Sequence, residues 1–341
     1  MDNYLKSVLE GHAFLLFDGA MGTMLQKRGL EPGELPDMLC LTRPDDIAGI
    51  HREYVEAGSQ VVTTNTFGAN ARKLAEAGST ASVAEAFSAA VSCAQSSGAR
   101  YVAADIGPIG ELMFPMGELE FSEAYELFAE QARAAQDAGA DLVIIETMAD
   151  LVEMAAAVLA VKDSCSLPLI ATMTFTASGR TFLGTAPREA ALVLALLGVD
   201  VLGVNCSAGP IDLQPVVLDM LAVAPCPVIV QANAGLPEVV DGETVYSLTS
   251  AEYAQGVLPM IEAGAVVVGG CCGTNPVYLR ELAMLLDGRE PAAQPISRAE
   301  LETLARSAAD EGGRDGELIE MILDAPDRAE LRNALADEYD E

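Results

Sequence analysis

Eight short apolar segments alternate with longer stretches of helical periodicity along this 341-residue chain. Most of them end in a polar or glycine-rich turn, and they span residues 14–18, 61–65, 101–107, 142–146, 169–175, 201–206, 228–233 and 265–270. Continuous apolar strands separated by helices are typical of a parallel sheet that helices cover. Eight such units predict an α/β fold, specifically a closed (β/α)8 TIM barrel.

The intervening helices carry recognisable end signals. We predict helices over residues 122–138, 150–162, 187–197 and 250–263. Ser122, Asp150 and Ser250 are N-cap candidates because their side-chain oxygens can accept from a free backbone N–H. Gly139, Gly198 and Gly264 stand where left-handed C-caps are expected.

The last part of the chain differs in composition from the barrel. We predict a barrel over residues 1–288, a linker over 289–296 and a short acidic helical tail over 297–341. The tail has 14 acidic and 5 basic residues, with leucines at partly helical spacing. Such an appendage could pack on the barrel, stay disordered or dock a partner protein, and the sequence leaves these alternatives open.

The charge balance limits the possible partners. A formal net charge of −32 with only four lysines argues against nucleic acid, because phosphate binding needs clustered Lys and Arg. No segment approaches about 18 apolar residues, so no membrane span is expected. The N-terminus lacks the basic start and apolar core of a signal peptide, which favours a cytoplasmic location. We therefore expect the seven cysteines to be reduced thiols.

Three of these thiols stand in glycine-rich strand ends. Cys271 and Cys272 are adjacent within Gly-Gly-Cys-Cys-Gly-Thr, and Cys206 ends Gly-Val-Asn-Cys. Three thiolates leave one position of a tetrahedral zinc ion open, as in catalytic sites. The pattern therefore predicts a Zn²⁺ site whose open position could take a substrate thiol. The remaining cysteines are interpreted as small hydrophobic residues: Cys40, Cys93, Cys165 and Cys226.

Polar residues end several of the other predicted strands. Asp18, Asn65, Asp105 and Glu146 should meet Cys206 on one face, since the C-terminal ends of barrel strands converge. A buried charge without a partner is costly, so Glu146 is assigned a functional role. The glycine pair before Cys271 could instead cradle a phosphate, but adjacent thiols disfavour this. His12 and His51 are given no function, and His51 is interpreted as an exposed helical residue.

Taken together, these motifs resemble the homocysteine S-methyltransferase family, and in particular the homocysteine-binding module of its cobalamin-dependent members. The resemblance covers about residues 10–288. Five segments carry it: Phe17-Asp18-Gly19-Ala20-Met21-Gly22-Thr23-Met24, Thr64-Asn65-Thr66-Phe67-Gly68-Ala69-Asn70, Ile145-Glu146-Thr147, Gly203-Val204-Asn205-Cys206 and Gly269-Gly270-Cys271-Cys272-Gly273-Thr274.

The resemblance implies a (β/α)8 barrel that transfers a methyl group to homocysteine to give methionine. It assigns the zinc ligands, which also act in catalysis, to Cys206, Cys271 and Cys272. It places Asp18 and Gly19 near the homocysteine carboxylate, Thr66 beside the substrate and Glu146 at the amino group. A zinc-bound thiol would be deprotonated and ready to attack a methyl group.

The methyl donor is less well defined. The Asp-Gly-Ala-Met-Gly-Thr motif at Asp18 resembles the corrinoid branch, yet the sequence has no Asp-x-His-x-x-Gly motif of a cobalamin module. Methylcobalamin is therefore expected on a separate corrinoid protein, for which the acidic tail could be a docking element. Alternatives are S-methylmethionine, betaine or another methylated donor, or a different thiol acceptor. A non-catalytic zinc- or thiol-binding protein is the second alternative.

Overall fold

The computed structural model describes residues 2–30, 33–240 and 243–340. The strands are β1 (Leu15–Leu16), β2 (Val61–Thr63), β3 (Tyr101–Ile106), β4 (Leu142–Met148), β5 (Leu169–Met173), β6 (Val201–Cys206), β7 (Val228–Ala232), β8 (Pro237–Val240), β9 (Glu243–Tyr246) and β10 (Val267–Gly270). Within this described part, every helix is too short or too polar to cross a membrane.

Twelve helices, α1 to α12, precede, connect or follow the barrel strands, and helices α13 to α15 come after them in the sequence. They are α1 (Asn3–Leu9), α2 (Met21–Lys27), α3 (Leu39–Thr42), α4 (Pro44–Glu56), α5 (Ala71–Glu76), α6 (Val83–Gln95), α7 (Phe121–Ala138), α8 (Leu151–Ser164), α9 (Pro187–Leu196), α10 (Pro210–Leu221), α11 (Ser250–Glu262), α12 (Pro276–Leu286), α13 (Arg298–Asp310), α14 (Gly313–Asp324) and α15 (Arg328–Tyr339).

Eight parallel strands form the barrel, in the order β1-β10-β7-β6-β5-β4-β3-β2. The two terminal strands of this order are joined by the Gln60 N–H, which donates to the Leu16 carbonyl at 2.8 Å. The side-chain oxygen of Gln60 accepts from the Leu16 N–H at 3.1 Å. The predicted (β/α)8 barrel is therefore confirmed, with β8 and β9 forming an antiparallel hairpin outside it.

The strands are buried along most of their length because helices cover the outside of the barrel and side chains fill the inside. All six residues of β3 and all five residues of β5 and β7 are buried. This burial explains why the strands appear in the sequence as continuous apolar runs rather than as alternating ones. It also directs the polar residues to the strand ends, where the candidate site lies.

Two of the predicted helix starts differ from the structure. Asp150 caps α8 as predicted, since its side chain accepts from the Val152 N–H. In contrast, α7 begins after Glu120, and Ser122 instead donates from its N–H and hydroxyl to the Asp340 carboxylate near the chain end. Thr249, not Ser250, caps α11, because Thr249 and Glu252 form a reciprocal capping box.

The C-terminal helices lie against one side of the barrel. Helices α13 and α14 pack on α9, while α15 packs on α7 and α8. Arg314 donates to both carboxylate oxygens of Asp150, at 2.9 and 3.0 Å. Helix α8 is buried on all its faces from Leu151 to Val161, which requires such a cover.

Candidate metal and amino-acid site

Three thiols meet at the C-terminal end of the barrel. Cys206 is the last residue of β6, and Cys271 and Cys272 directly follow β10. The sulfur atoms of all three lie within 4.8 Å of one another, and the Sγ atoms of Cys206 and Cys272 are 3.8 Å apart. Two thiolates bound to one tetrahedral zinc ion at about 2.3 Å would be about 3.8 Å apart. The donor set and its spacing therefore fit zinc.

The backbone around these thiols adopts unusual conformations. Thr147, Cys206 and Ser207 have positive φ angles of 62°, 54° and 67°. For a β-branched threonine this conformation is strained, and such strain is found mainly where the surrounding structure enforces it. The buried Asn205 enforces it here. Its Oδ1 accepts from the Thr147 N–H at 2.8 Å, and its Nδ2 donates to the Thr147 hydroxyl at 2.7 Å.

Asn205 therefore links two parts of the site. It lies directly before the metal-ligand candidate Cys206, and its partner Thr147 directly follows Glu146 on β4. The hydroxyl of Thr172, on the intervening strand β5, also donates to Asn205 Oδ1 at 2.9 Å. This role of Asn205 was not predicted, although an asparagine beside a candidate ligand at a strand end is a usable signal in the sequence. We call this arrangement the Asn205 bridge.

A cavity of about 470 Å³ opens beside the thiols. Asp18, Asp105 and Glu146 line it together with Cys206, Cys271 and Cys272. A volume of this size is within the range of small-molecule sites. The structure thus brings the predicted acidic residues and thiols into one cavity.

The carboxylates in this cavity are poorly hydrated. Burial raises the pKa of Asp18 to about 7. Burial also raises the pKa of Glu146 to about 8, with smaller contributions from the Cys206 thiolate and from Asp18. Hydrogen bonds from the other two thiols lower the pKa of Cys206 to about 3. Burial thus disfavours the ionised carboxylates in the empty cavity, and a cationic ligand group that pairs with them would favour their ionised forms.

Asp18 is held in place by its neighbours on β2. Its two carboxylate oxygens accept from the N–H and the hydroxyl of Thr63, at 2.8 and 2.9 Å. The next residue, Gly19, packs closely against Thr274, because a Cβ at position 19 would lie 2.5 Å from Thr274 Oγ1. Thus packing alone requires glycine at position 19.

Thr66 lies behind the cavity wall. Its side chain is buried, and its hydroxyl donates to the Asp105 carbonyl at 2.8 Å and lies 2.7 Å from the Thr64 hydroxyl. On this segment Thr64, Asn65 and Phe67 line the cavity. A role of Thr66 beside the substrate stays a prediction.

His51 corrects one interpretation. The prediction that this residue is an exposed helical residue is wrong, because its side chain is 0% exposed on α4. Its Nδ1 lies 4.0 Å from Asp18 Oδ2, and neither ring nitrogen has a hydrogen-bond partner. Burial lowers the pKa of His51 to about 4, which keeps the ring neutral. The error arose because α4 packs its inner face on the barrel, and a single histidine does not reveal which face it occupies.

Two residues near the cavity were not anticipated. Tyr246 belongs to the β8–β9 hairpin and hydrogen-bonds the Cys272 thiol, while burial raises the pKa of its phenol to about 12. Its ring fills the space beside Gly273, where an added Cβ would lie 2.2 Å from Tyr246 Cγ. Lys73, which follows β2, lines the cavity and donates to the Pro108 carbonyl at 2.7 Å. Tyr246 ends β9, a strand of the hairpin outside the barrel, and Lys73 lies on α5, so the ends of the eight predicted barrel strands do not point to either residue.

The remaining cysteines lie elsewhere. Cys40 and Cys93 are buried, and Cys165 and Cys226 are half-buried. Across the described ranges, the cluster of potential metal ligands is the one formed by Cys206, Cys271 and Cys272. A larger cavity of about 730 Å³ beside Cys226 lies at the opposite end of the barrel. Because barrel enzymes act at the C-terminal strand ends, the smaller cavity is the candidate site.

Comparison with known proteins agrees with this geometry. A family model described as homocysteine S-methyltransferase matches residues 15–286. The methionine synthase of Mycobacterium tuberculosis (strain ATCC 25618 / H37Rv) is 35% identical over 288 residues, and that of Mycobacterium leprae (strain TN) is 34% identical over 303 residues. These matches cover 78% and 81% of this chain but 24% and 25% of those proteins. The chain thus spans about a quarter of the length of the curated relatives it matches.

Solved structures share the fold. The metallated form of the homocysteine methyltransferase MmuM from Escherichia coli aligns with a TM-score of 0.69 and 23% identity, covering 83% of this chain and 100% of that chain. The apo form of the same protein aligns with a TM-score of 0.64 and 24% identity, covering 83% of this chain and 99% of that one. At this level of identity, the likeness supports the barrel architecture.

Proposed function

The chain belongs to the homocysteine S-methyltransferase family, and we propose that it activates the thiol of homocysteine to accept a methyl group, giving methionine. The observation that carries this proposal is the placement of three thiols beside a cavity lined by carboxylates. A ligand that carries both a thiol and an amino group needs a metal ion that binds its sulfur and an anion that pairs with its ammonium group. A phosphate or nucleic-acid ligand would be repelled by the same groups.

Cys206, Cys271 and Cys272 would hold Zn²⁺, with the open position available to the substrate. Their spacing matches that of thiolates on one tetrahedral ion. When bound, zinc would lower the pKa of a coordinated thiol so that it is a thiolate at neutral pH. The protein's own contribution is to fix the ligands, through the Asn205 bridge at Cys206 and through the glycines at the other two.

Glu146 is proposed to pair with the ammonium group of homocysteine. It lines the cavity and is largely removed from water, so a bound ammonium would offset the cost of its charge. Asp18 in its ionised form would repel the substrate carboxylate, and both of its oxygens already accept hydrogen bonds from Thr63. We propose that Asp18, held by Thr63, instead shapes the turn at Gly19 against which the substrate carboxylate lies.

Methyl transfer then depends on alignment. A bond forms between the homocysteine sulfur and the methyl carbon as the bond from carbon to the donor breaks, and the electron pair of that bond stays with the donor. The thiol proton has already left, so no general base is needed at this step. Positioning of the two reactants therefore supplies much of the acceleration.

The donor is proposed to be methylcobalamin carried by a corrinoid protein. Support comes from the motif at Asp18 and from the names of the mycobacterial relatives, which are methionine synthases. S-methylmethionine, betaine and another methylated donor remain alternatives, as does a non-catalytic zinc- or thiol-binding role. These possibilities differ in which donor, if any, yields methionine.

A donor panel tests the proposal. Zinc-loaded protein is incubated with homocysteine and, in separate reactions, methylcobalamin, a methylated corrinoid protein, S-methylmethionine, betaine and methyltetrahydrofolate, and methionine is quantified. We expect the methylated corrinoid protein to react fastest and free methylcobalamin slowly, because nothing fixes the orientation of the free cofactor. Methionine from betaine or S-methylmethionine alone would reassign the donor. Homocysteine binding without methionine from any donor would support the non-catalytic role.

Replacing Glu146 with Gln tests the amine anchor. This change keeps the side-chain shape but removes the charge, so homocysteine should bind about 10- to 100-fold more weakly, the usual loss for a charged hydrogen bond. Zinc content should be unchanged, because Glu146 is not a ligand. Calorimetric titration with homocysteine measures the affinity, and elemental analysis measures the metal. An unchanged affinity would place the ammonium at another group.

A further inference from the structure

Asp105 is a buried carboxylate to which the proposed mechanism assigns no role. It lies on β3 with its side chain 5% exposed, and it lines the same cavity as Glu146. Its Oδ1 atom is buried and has no hydrogen-bond partner. A buried carboxylate oxygen without a partner is costly, and because Asp105 lines the cavity, a ligand bound there would offset this cost.

The main chain of Asp105 is firmly held while its carboxylate is not. The Asp105 N–H donates to Thr64 Oγ1 at 3.0 Å, and the Asp105 carbonyl accepts from Thr66 Oγ1 at 2.8 Å. These two contacts fix the strand residue on both sides. The side chain is thereby presented to the cavity from a rigid support, which is the arrangement expected of a group that binds a ligand.

The charges around Asp105 favour a cationic ligand. Burial raises the pKa of Asp105, and the charges of Glu146, Asp37 and Asp18 add to this effect. Lys73 acts in the opposite direction, but its ammonium already donates to the Pro108 carbonyl. The cavity lining holds the carboxyl groups of Asp18, Asp37, Asp105 and Glu146 beside the single cation Lys73, so a ligand ammonium would favour the ionised form of these carboxyl groups.

A metal ion shared by the carboxylates fits less well. Among residues 2–30, 33–240 and 243–340, the three cysteines form the group of ligands that lie mutually within 4.8 Å, and the cavity carboxylates do not join such a group. Their wider spacing disfavours a single hard cation bound by all of them. An organic ammonium group bound by a pair of them is the better match.

We propose that Asp105 is a second carboxylate that, with Glu146, holds the ammonium group of the substrate and so selects thiols with an α-amino group. This inference rests on the proposed function. In this arrangement Glu146 and Asp105 approach the ammonium from the neighbouring strands β4 and β3. The pair would distinguish homocysteine from a thiol of equal length without the amino group.

The experiment compares two thiols in four proteins. Homocysteine and 4-mercaptobutanoate, which lacks only the amino group, are assayed for methyl acceptance with wild-type protein, Asp105→Asn, Asp105→Ser and Glu153→Gln. Glu153 is a matched control, because it is also a buried carboxylate but its oxygen accepts from the Ile109 N–H at 2.7 Å and it does not line the cavity. Zinc content and thermal unfolding are measured for each protein.

We expect Asp105→Asn to raise KM for homocysteine about 10- to 100-fold, with kcat changed by less than about threefold. Values for 4-mercaptobutanoate should stay near wild type, so the preference for homocysteine is lost. Asp105→Ser should lose the same preference if the charge is what matters. Glu153→Gln should keep the wild-type preference.

The outcomes separate this inference from the proposed function. If wild-type protein methylates homocysteine and both Asp105 variants keep its preference, the inference is overturned while the proposed function stands. An equal loss for both thiols would also overturn it, because a structural defect does not distinguish the amino group. Failure of wild-type protein to methylate homocysteine with any donor would instead count against the proposed function.

Discussion

Replacing Cys271 with Ala is expected to abolish both metal binding and methyl transfer. The three sulfur atoms lie within 4.8 Å of one another, as expected for ligands of one ion. The two thiolates left in the variant would bind zinc at least about 100-fold more weakly, because losing a ligand costs more than losing a group that only hydrogen-bonds a ligand. Cys206→Ala and Cys272→Ala should have the same effect. Elemental analysis of purified protein gives the zinc content, and methionine formation gives the activity.

Two variants serve as controls for this prediction. Cys93→Ala and Cys226→Ala remove thiols of similar chemistry that lie outside the cluster, so they should retain zinc and activity. Full zinc occupancy in all three cluster variants would show that the metal binds elsewhere. Loss of zinc in the controls would mean that thiol replacement acts through folding.

Removal of the chain after Gln294 is expected to destabilise the barrel. The deletion removes α13–α15, including the buried side chains Leu301, Leu318, Ile319, Leu331 and Leu335. It also exposes apolar surface on α7, α8 and α9. We expect Tm to fall by at least about 5 °C, since losing even one buried leucine costs about 2–5 kcal/mol. Differential scanning calorimetry would measure the fall.

A point variant separates packing from docking. Leu318→Ala leaves the acidic surface of the tail intact but removes a buried side chain, whereas Glu320→Gln changes an exposed charge on the same helix. If the tail only packs on the barrel, Leu318→Ala should lower Tm and Glu320→Gln should not. An unchanged Tm after the truncation would contradict the packing role. Slower transfer from a corrinoid protein to folded truncated protein, with a dependence on salt, would support docking.

The architecture was largely predictable, because parallel strands buried on both faces leave an unmistakable pattern in the sequence. Each of the eight predicted strands has a counterpart in the barrel, although the first was predicted over residues 14–18 and is found at Leu15–Leu16. The family was also identified from its motifs, and the comparisons confirm it. The shared cavity of the thiols and carboxylates was also predictable, because the C-terminal ends of barrel strands converge on one face.

Contacts between distant segments were not predictable in the same way. His51 was assigned to the surface because an isolated histidine does not show which helix face it occupies. Ser122 is not a helix cap, because its N–H and hydroxyl donate to Asp340, which directly follows α15. The partners in both cases come from other elements, so no local pattern encodes them. The apolar run from Met154 to Val161 in α8 was a usable sign that another layer would cover this helix.

The Asn205 bridge has a consequence for how the two halves of the substrate are bound. One side chain ties the residue after Glu146 to the residue before Cys206, across β5. A ligand that restrains the conformation of one of these strand ends would therefore also restrain the other. If the chain binds a metal and an amino acid as proposed, any coupling of the two affinities through this bridge is reciprocal: the factor by which the metal strengthens amino-acid binding equals the factor by which the amino acid strengthens metal binding. This cooperativity would not depend on a bond between sulfur and metal, so an amino acid with a hydroxyl in place of the thiol would share in it.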